Sequence, residues 1–196
     1  MKASYLAAIG VAALSVLSPI TAVSSEREDS PHTLKPATGL VEEVRRATQR
    51  FQEVSAARAA GYAAFLGCVS GPQEGAMGVH FVNDTLVNDA ELDPLRPEAL
   101  IYEPRNGRLR LVGVEYVVVA AAWDAKNPTP PTLVGQVFHH TGSPNRYGLP
   151  AFYSLHVWAW RDNPNGGFAD WNPKVTCEEY TAEAAVQPSR AASPRN

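Results

Sequence analysis

Sulfur-containing residues are scarce in this chain, and their scarcity limits the kinds of site it can build. Of its 196 residues only two are cysteine, Cys68 and Cys177, and only two are methionine, one of them the initiator. No Cys-x-x-C pair occurs, so the usual spacing of a structural zinc site or a redox dithiol is missing. A thioether-rich copper site is excluded as well, because it would need more methionine.

Positive charge is also in short supply. The chain has 17 lysine and arginine residues against 20 aspartate and glutamate residues, and the basic ones form no stripe interleaved with aromatic side chains. A nucleic-acid partner is therefore not expected. The sequence lacks a Gly-x-Ser-x-Gly nucleophile elbow and a haem attachment motif. Glycines between residues 67 and 78 imitate a phosphate-binding loop, but the lysine of a P-loop is absent, so we interpret them as turns.

Residues 1–24 have the pattern of a secretory signal peptide. Lys2 gives a positive start, an apolar run follows from Tyr5 to Leu17, and Pro19 precedes small residues suited to cleavage. An uncleaved membrane anchor is the alternative, because the apolar stretch is almost long enough to span a bilayer. We expect cleavage, and hence a secreted or periplasmic protein with no stable membrane insertion. Loss of Lys2 changes the net charge to 16 − 20 = −4.

Export bears directly on the two cysteines. In an exported chain a pair such as Cys68 and Cys177 most simply forms one disulfide bond. Two free thiols or a metal-binding pair are the alternatives, and no local spacing supports them. Closing so long a loop stabilises a fold by roughly 4–5 kcal/mol in the chain-entropy model. We therefore predict a bond between Cys68 and Cys177.

Composition also predicts where the folded part begins and ends. Residues 25–37 are charged, polar and interrupted by proline, which is typical of a linker. Residues 181–196 consist largely of alanine, serine, proline and arginine, and we expect them to form a disordered tail. Between these segments, residues 38–180 are long enough for one domain with a hydrophobic core.

Within that domain the apolar pattern changes from a helical period to a strand period. Val44, Phe51 and Val54 recur at helical spacing, so we expect one long helix from Thr38 to about Ala60. Strands are predicted near residues 78–83, 99–104, 109–122, 133–139 and 151–160, with an Asn-Gly hairpin turn at 106–107. The predicted fold is α+β, with the helix packed on an antiparallel sheet that could curl into a partial barrel.

Three of these strands carry an ionisable residue among apolar neighbours. His80 lies within GVHFVN, Glu115 interrupts LVGVEYVVVAAA, and His156 lies within FYSLHVWAW. A carboxylate buried in such a strand costs several kcal/mol or more unless it is paired, hydrogen-bonded or bound to a metal. Two imidazoles and one carboxylate are also the ligand set of a common metal site. The sequence therefore predicts a site for a divalent transition metal at His80, Glu115 and His156, without distinguishing Zn, Fe, Mn, Cu or Ni.

Ordinary core interactions could explain the same three residues. A buried Glu115 could pair with Arg110 or accept a hydrogen bond from the hydroxyl of Tyr116 or Tyr153, and a single histidine in a strand is more often a hydrogen-bonded core residue than a ligand. His139 and His140 lie at a strand end, where neighbouring side chains point to opposite faces. At most one of them could therefore join the site, as a third imidazole.

Five segments of the chain together resemble a group of exported bacterial proteins for which no activity is known. They are GAMGVHFVN at 75–83, YEP at 102–104, LVGVEY at 111–116, LHVWAW at 155–160 and WNP at 171–173. The resemblance extends over most of the predicted domain. It implies export from a bacterial cell and assigns no functional residue.

Three functional hypotheses follow from the sequence. The first is an exported metal-binding protein, which as a metalloenzyme would act on a small molecule with Glu115 as metal ligand or general base. The second is a non-catalytic module whose aromatic-lined pocket binds an apolar ligand. The third is a structural envelope protein without a pocket. The oligomeric state is left open by the sequence.

Overall fold

The computed structural model describes residues 36–182, with side chains from residue 39 onward. The predicted signal peptide, nearly all of the predicted linker and all but two residues of the predicted tail lie outside this part of the chain. Among the described residues, no helix is long and apolar enough to cross a membrane.

The helical region is divided where one long helix was expected. Helix α1 covers Pro36–Thr48, a 3₁₀ turn follows at Gln49–Gln52, and a short helix α2 covers Val54–Ala59. The break coincides with two tertiary hydrogen bonds: the Tyr102 hydroxyl donates to the Phe51 carbonyl, and the Trp160 indole donates to the Thr48 hydroxyl. The region keeps its apolar side against the sheet, but as separate short elements, so the long-helix prediction is not confirmed.

The remaining elements build a six-stranded antiparallel sheet. Its strands are β1 (Ala63–Ser70), β2 (Ala76–Val82), β3 (Ala99–Arg105), β4 (Arg108–Val119), β7 (His139–Thr141) and β8 (Phe152–Val157). They lie in the order β1-β2-β3-β4-β8-β7, and the sheet curls into a half-barrel. A separate two-stranded sheet pairs β5 (Thr132–Leu133) with β6 (Gln136–Val137), and short helices α3 (Asp84–Asp89) and α4 (Ala120–Asp124) follow β2 and β4. The α+β class and the antiparallel sheet are confirmed.

Several strand boundaries differ from the prediction. The Asn-Gly hairpin is confirmed, because Asn106 and Gly107 have φ values of 52° and 65° between the paired ends of β3 and β4. The strand expected at 133–139 is instead divided among β5, β6 and the start of β7. Strand β1 was not predicted, because its glycine at position 67 belongs to a bulge and most of the strand is exposed at the sheet edge.

The two faces of the sheet have different roles. One face packs on the helical region through a large cluster of buried apolar residues that includes Leu40, Val44, Phe81, Tyr102 and Tyr116. Because strand β4 is buried on both faces over most of its length, the alternate residues must be covered by something else. Those alternate residues include Glu115, so the second face holds the candidate site.

The predicted disulfide bond is confirmed. Cys68 of β1 is bonded to Cys177, with their Cα atoms 5.7 Å apart and a sequence separation of 109. The bond ties the edge strand to the segment that follows the sheet. It therefore stabilises the edge that would otherwise be held by β2 alone.

Candidate metal centre

Three strands bring the three predicted residues to one face of the sheet. Glu115 on β4 is the direct cross-strand partner of His156 on β8. On its other side Glu115 pairs with Ala99 of β3, and His80 of β2 pairs with the next residue on that face, Ile101. Cross-strand partners share a face, so all three polar side chains point the same way. The small side chain of Ala99 leaves room for His80 and Glu115 to meet across β3.

The resulting distances are close to those of a metal site. Glu115 Oε2 lies 3.4 Å from His80 Nε2, and Glu115 Oε1 lies 3.8 Å from His156 Nε2. One ligand atom from each residue can be chosen so that all three lie within 4.8 Å of one another. Ligands at about 2.0–2.2 Å in a tetrahedral arrangement are roughly 3.3–3.6 Å apart. The three side chains therefore need only small rotations to bind one ion.

Of the three side chains, His156 is the one whose polar atoms are buried without hydrogen bonds to the described residues. It is 1% exposed, and neither imidazole nitrogen makes a hydrogen bond to any part of the protein within the described region. The nearest groups are Glu115 at 3.8 Å from Nε2 and Asp170 at 3.4 Å from Nδ1. Buried polar groups in folded proteins almost always have a hydrogen-bond partner. The absence of one at Nε2 of His156 among the described residues therefore favours a bound ligand at that nitrogen.

Asp170 is a site residue that the sequence analysis did not identify. Its Oδ1 lies 3.4 Å from His156 Nδ1, and its Oδ2 lies 3.0 Å from Nδ1 of His139. A carboxylate beside the distal nitrogen of a histidine fixes the tautomer and orientation of a metal ligand. Asp170 would hold His156 with Nε2 directed toward Glu115.

The loop that carries Asp170 is attached to the sheet two residues later. Ala76 and Asn172 exchange backbone hydrogen bonds of 3.2 Å, which forms an isolated bridge at the start of β2. The close approach depends on Gly75, whose φ is +88° and where a Cβ atom would clash with the Asn172 carbonyl oxygen. The Trp158 indole also donates to the Ala169 carbonyl at 2.6 Å. Asp170 therefore occupies a fixed position next to His156.

The two imidazoles differ in their electrostatic environment. Burial lowers the pKa of His80, and His156 lowers it further, although Glu115 opposes both effects. Burial also acts to lower the pKa of His156, but the carboxylates of Glu115 and Asp170 together outweigh it and the pKa is raised. The attraction to His156 lowers the pKa of Asp170. His80 is thus favoured as the neutral imidazole, the form that binds a metal.

The three residues open into a cavity of about 400 Å³, hereafter the site cavity. Its polar lining also includes His139, Ser154 and Asp170, and Arg146 lies at the same cavity. Most of the remaining lining is apolar, and it includes Phe65, Leu66, Val69, Met77, Val82, Val87, Val117, Leu149 and Phe152. A mainly apolar cavity with a few convergent polar groups is the usual form of a small-molecule site.

His139 and His140 are separated by the strand that carries them. His139 pairs with Ser154 and lines the site cavity, where it contacts Asp170 rather than Glu115. His140 is exposed, and its ring lies 5.0 Å from the ring of Tyr153, centroid to centroid. Only His139 is therefore near the site, and it contacts the carboxylate that orients His156.

The ordinary partners considered for Glu115 are engaged elsewhere or exposed. The Tyr116 hydroxyl donates to the Pro94 carbonyl, and the Tyr153 hydroxyl donates to Asp124. Arg110 is exposed. Among the described residues, the ionisable groups that contact Glu115 are the two histidines.

Glu98 is another buried acid, and it bonds to the backbone of the strand that carries Glu115. Glu98 is 1% exposed, and its Oε2 accepts a 2.9 Å hydrogen bond from the backbone N–H of Val117. Burial raises the pKa of Glu98 from its ordinary value of 4.5 to about 8. Its neutral acid form is thus favoured at neutral pH, and Glu98 does not line the site cavity.

The chain matches no protein-family model, no curated protein and no solved structure.

Proposed function

We propose that this is an exported metal-binding protein that holds one divalent transition metal ion through His80, Glu115 and His156. The observation that carries the proposal is the buried His156 imidazole, which makes no hydrogen bond within the described residues. Leaving a buried polar group unsatisfied costs roughly 1–3 kcal/mol. A metal on Nε2 would remove that cost, and Asp170 would face the protonated Nδ1 in the carboxylate–histidine–metal arrangement.

The competing interpretation treats the same residues as a hydrogen-bonded core network. Such a network is stabilising only when its members are satisfied, and a half-satisfied one is worse than an apolar core. His156 is the member that this interpretation leaves without a hydrogen bond in the described part of the chain, because Asp170 at 3.4 Å from Nδ1 and Glu115 at 3.8 Å from Nε2 are its nearest groups. The metal proposal explains why two imidazoles and a carboxylate are directed at one point.

We further propose that the metal serves as the reactive centre of a metalloenzyme acting on a small molecule. Two imidazoles and one carboxylate leave coordination positions open for water or substrate. A metal there would polarise an oxygen of the substrate or lower the pKa of a bound water molecule. Glu115 would be a ligand through one oxygen, and its second oxygen could accept a proton as a general base.

Export is part of the same proposal. The Cys68–Cys177 disulfide bond fits an oxidising compartment, and the signal-like pattern of residues 1–24 supports secretion or a periplasmic location. Detection of the mature N-terminus by mass spectrometry of the exported protein would test cleavage. Recovery of the chain with Lys2 still attached would contradict it.

Elemental analysis of the purified mature protein tests the metal proposal. We expect about one equivalent of a divalent transition metal after reconstitution, with binding lost in His80→Ala, Glu115→Gln and His156→Ala. His140→Ala is the matched control, because that histidine is exposed and outside the site cavity, and it should bind metal normally. Retention of stoichiometric metal in the three site variants would exclude this site.

A second function is favoured by the apolar lining of the site cavity. The protein would then be a non-catalytic module that binds an apolar ligand without a metal. It predicts a metal-free protein from which organic extraction recovers a small molecule. Under that outcome the His80→Ala and Glu115→Gln variants should change thermal stability without changing metal content.

A further inference from the structure

The edge of the site cavity contains an exposed apolar surface, which is unfavourable in water for the protein without a ligand. Phe65 and Leu66 are 36% and 55% exposed, and both line the site cavity. Leu66 also has a φ of +58°, in the left-handed region that leucine rarely adopts. An exposed leucine in a strained conformation stabilises neither the core nor the strand.

The position of these side chains relative to the metal centre is set by strand pairing. Phe65 is the direct cross-strand partner of His80, so the two share a face. The register then shifts between Phe65 and Cys68, and Leu66 lies within this bulge. The disulfide bond at Cys68 anchors the end of the bulge. The apolar surface thus begins beside a proposed metal ligand and is held there covalently.

A fixed positive charge is found at the same cavity. Arg146 is the one arginine or lysine among the described residues that line it. Its guanidinium lies 5.8 Å from the ring of Trp171 and 5.9 Å from the ring of Tyr147, and it donates a 3.3 Å hydrogen bond to the Ser70 carbonyl. These contacts orient the guanidinium and leave further N–H donors for a carboxylate, which matches its planar geometry.

We propose that the site cavity binds a small apolar carboxylate, with its hydrocarbon body against Phe65 and Leu66 and its carboxylate attracted by the metal and Arg146. The inference depends on the proposed metal site. A divalent ion with Glu115 as its one anionic ligand retains a net positive charge and attracts an anionic oxygen donor. Two other carboxylates line the cavity, but Asp170 is paired with His139 and Asp84 is exposed to solvent, so their repulsion of the anion is screened. The ligand covers the strained apolar bulge, which explains why that bulge is apolar.

Octanoate bound to the cobalt-loaded mature protein is the test, with acetate and 1-octanol as matched probes. Acetate keeps the carboxylate without the chain, and octanol keeps the chain without the charge. Calorimetry measures affinity, and the visible Co²⁺ absorption reports coordination changes. We expect octanoate to bind at least tenfold more tightly than either probe and to alter the cobalt spectrum. Affinity for octanoate no greater than for acetate or octanol would overturn the proposal.

Substitution of Leu66 separates ligand binding from folding. Leu66→Asn should weaken octanoate binding about five- to tenfold through the lost apolar contact. Asparagine tolerates a positive φ better than leucine, so the variant should melt at the same temperature or higher. Leu95→Asn is the control, because Leu95 is 54% exposed and does not line the site cavity. Unchanged octanoate affinity in Leu66→Asn would overturn the proposal.

The remaining outcomes distinguish this inference from the function on which it depends. Arg146→Gln should weaken the binding of octanoate and leave the binding of octanol unchanged. Equal weakening of both would contradict the proposal that the charge of Arg146 attracts the carboxylate. A protein that binds Co²⁺ but not octanoate would overturn this inference alone. A protein that binds no Co²⁺ would overturn both proposals. Equal affinity for octanoate with and without Co²⁺ would contradict the proposal that the metal attracts the carboxylate.

Discussion

Replacing His156 with leucine should have opposite effects on the metal-free and metal-bound protein. The side chain is 1% exposed and both of its nitrogens lack hydrogen bonds in the described region. Leucine has a similar volume and brings no polar atom, so the metal-free variant avoids a penalty of roughly 1–3 kcal/mol. In the variant, Glu115 still has His80 as a partner at 3.4 Å, and Asp170 still has His139 at 3.0 Å. The loss of the attraction between His156 and the carboxylates of Glu115 and Asp170 offsets part of this gain. We therefore expect a net gain of about 1 kcal/mol in the free energy of unfolding.

Metal should reverse the order of stability. A ligand at about 1,000 times its dissociation constant stabilises the native state by roughly 4 kcal/mol. For a domain of this size that corresponds to a rise of about 8–16 °C in melting temperature, at about 2–4 °C per kcal/mol. His156→Leu removes one of three ligands and should show almost none of this rise. The wild-type protein is therefore expected to melt lower than the variant in EDTA and higher in Zn²⁺.

Thermal unfolding followed by circular dichroism, in EDTA and in excess Zn²⁺, measures both effects in one experiment. His140→Leu is the control, because that imidazole is exposed and its loss should leave the zinc response intact. Two results would refute the reasoning. One is a wild-type melting temperature that zinc does not raise. The other is a metal-free His156→Leu protein that loses several kcal/mol, since that would mean the imidazole is already well satisfied by the protein.

Three further predictions concern groups around the site. Burial raises the pKa of Glu98 from 4.5 to about 8. Between pH 4.5 and pH 8 the native protein therefore binds more protons than the unfolded chain, and its stability falls as the pH rises through this range. Glu98→Gln should remove this loss, on the order of 3–5 kcal/mol, which a comparison of denaturant midpoints at pH 5 and pH 8.5 would detect. Gly75→Ala should destabilise the fold by about 2–3 kcal/mol in urea and weaken zinc binding, because a Cβ there meets the Asn172 carbonyl oxygen and displaces the loop of Asp170. Replacing both Cys68 and Cys177 with serine should cost about 4 kcal/mol in guanidinium unfolding, since the bond closes a loop with a sequence separation of 109; a loss under about 1 kcal/mol would contradict the loop-entropy argument.

Much of the site could be inferred from sequence because alternate residues of a strand lie on the same face of the sheet. A polar residue in the middle of an apolar strand must have a specific partner, whatever the fold around it. That rule marked His80, Glu115 and His156, and the structure brings these three together across β2, β4 and β8. Strand parity also limits the adjacent pair His139 and His140 to one residue per face. The structure puts His139 at the site cavity.

Asp170 could not be found by the same reasoning. It lies in a segment without helical or strand periodicity, so its neighbours in sequence give no indication of what it contacts. Its place beside His156 results from the backbone bridge between Ala76 and Asn172, two residues far apart in the chain. A loop residue acquires a role only when such contacts hold it against the sheet.

Local pattern therefore determined the α+β class, the antiparallel sheet, the Asn-Gly hairpin and the three polar positions among apolar strand residues, since each depends on residues close in sequence. Tertiary contacts decided the rest. The break in the helical region coincides with the hydrogen bond from Tyr102 to the Phe51 carbonyl, and edge strand β1 exists because β2 and the disulfide at Cys68 hold it. The physical reason is the same in each case: a helical or strand period records only which side of an element is apolar, whereas a broken helix, a bulged edge strand and a positioned loop are stabilised by partners tens of residues away.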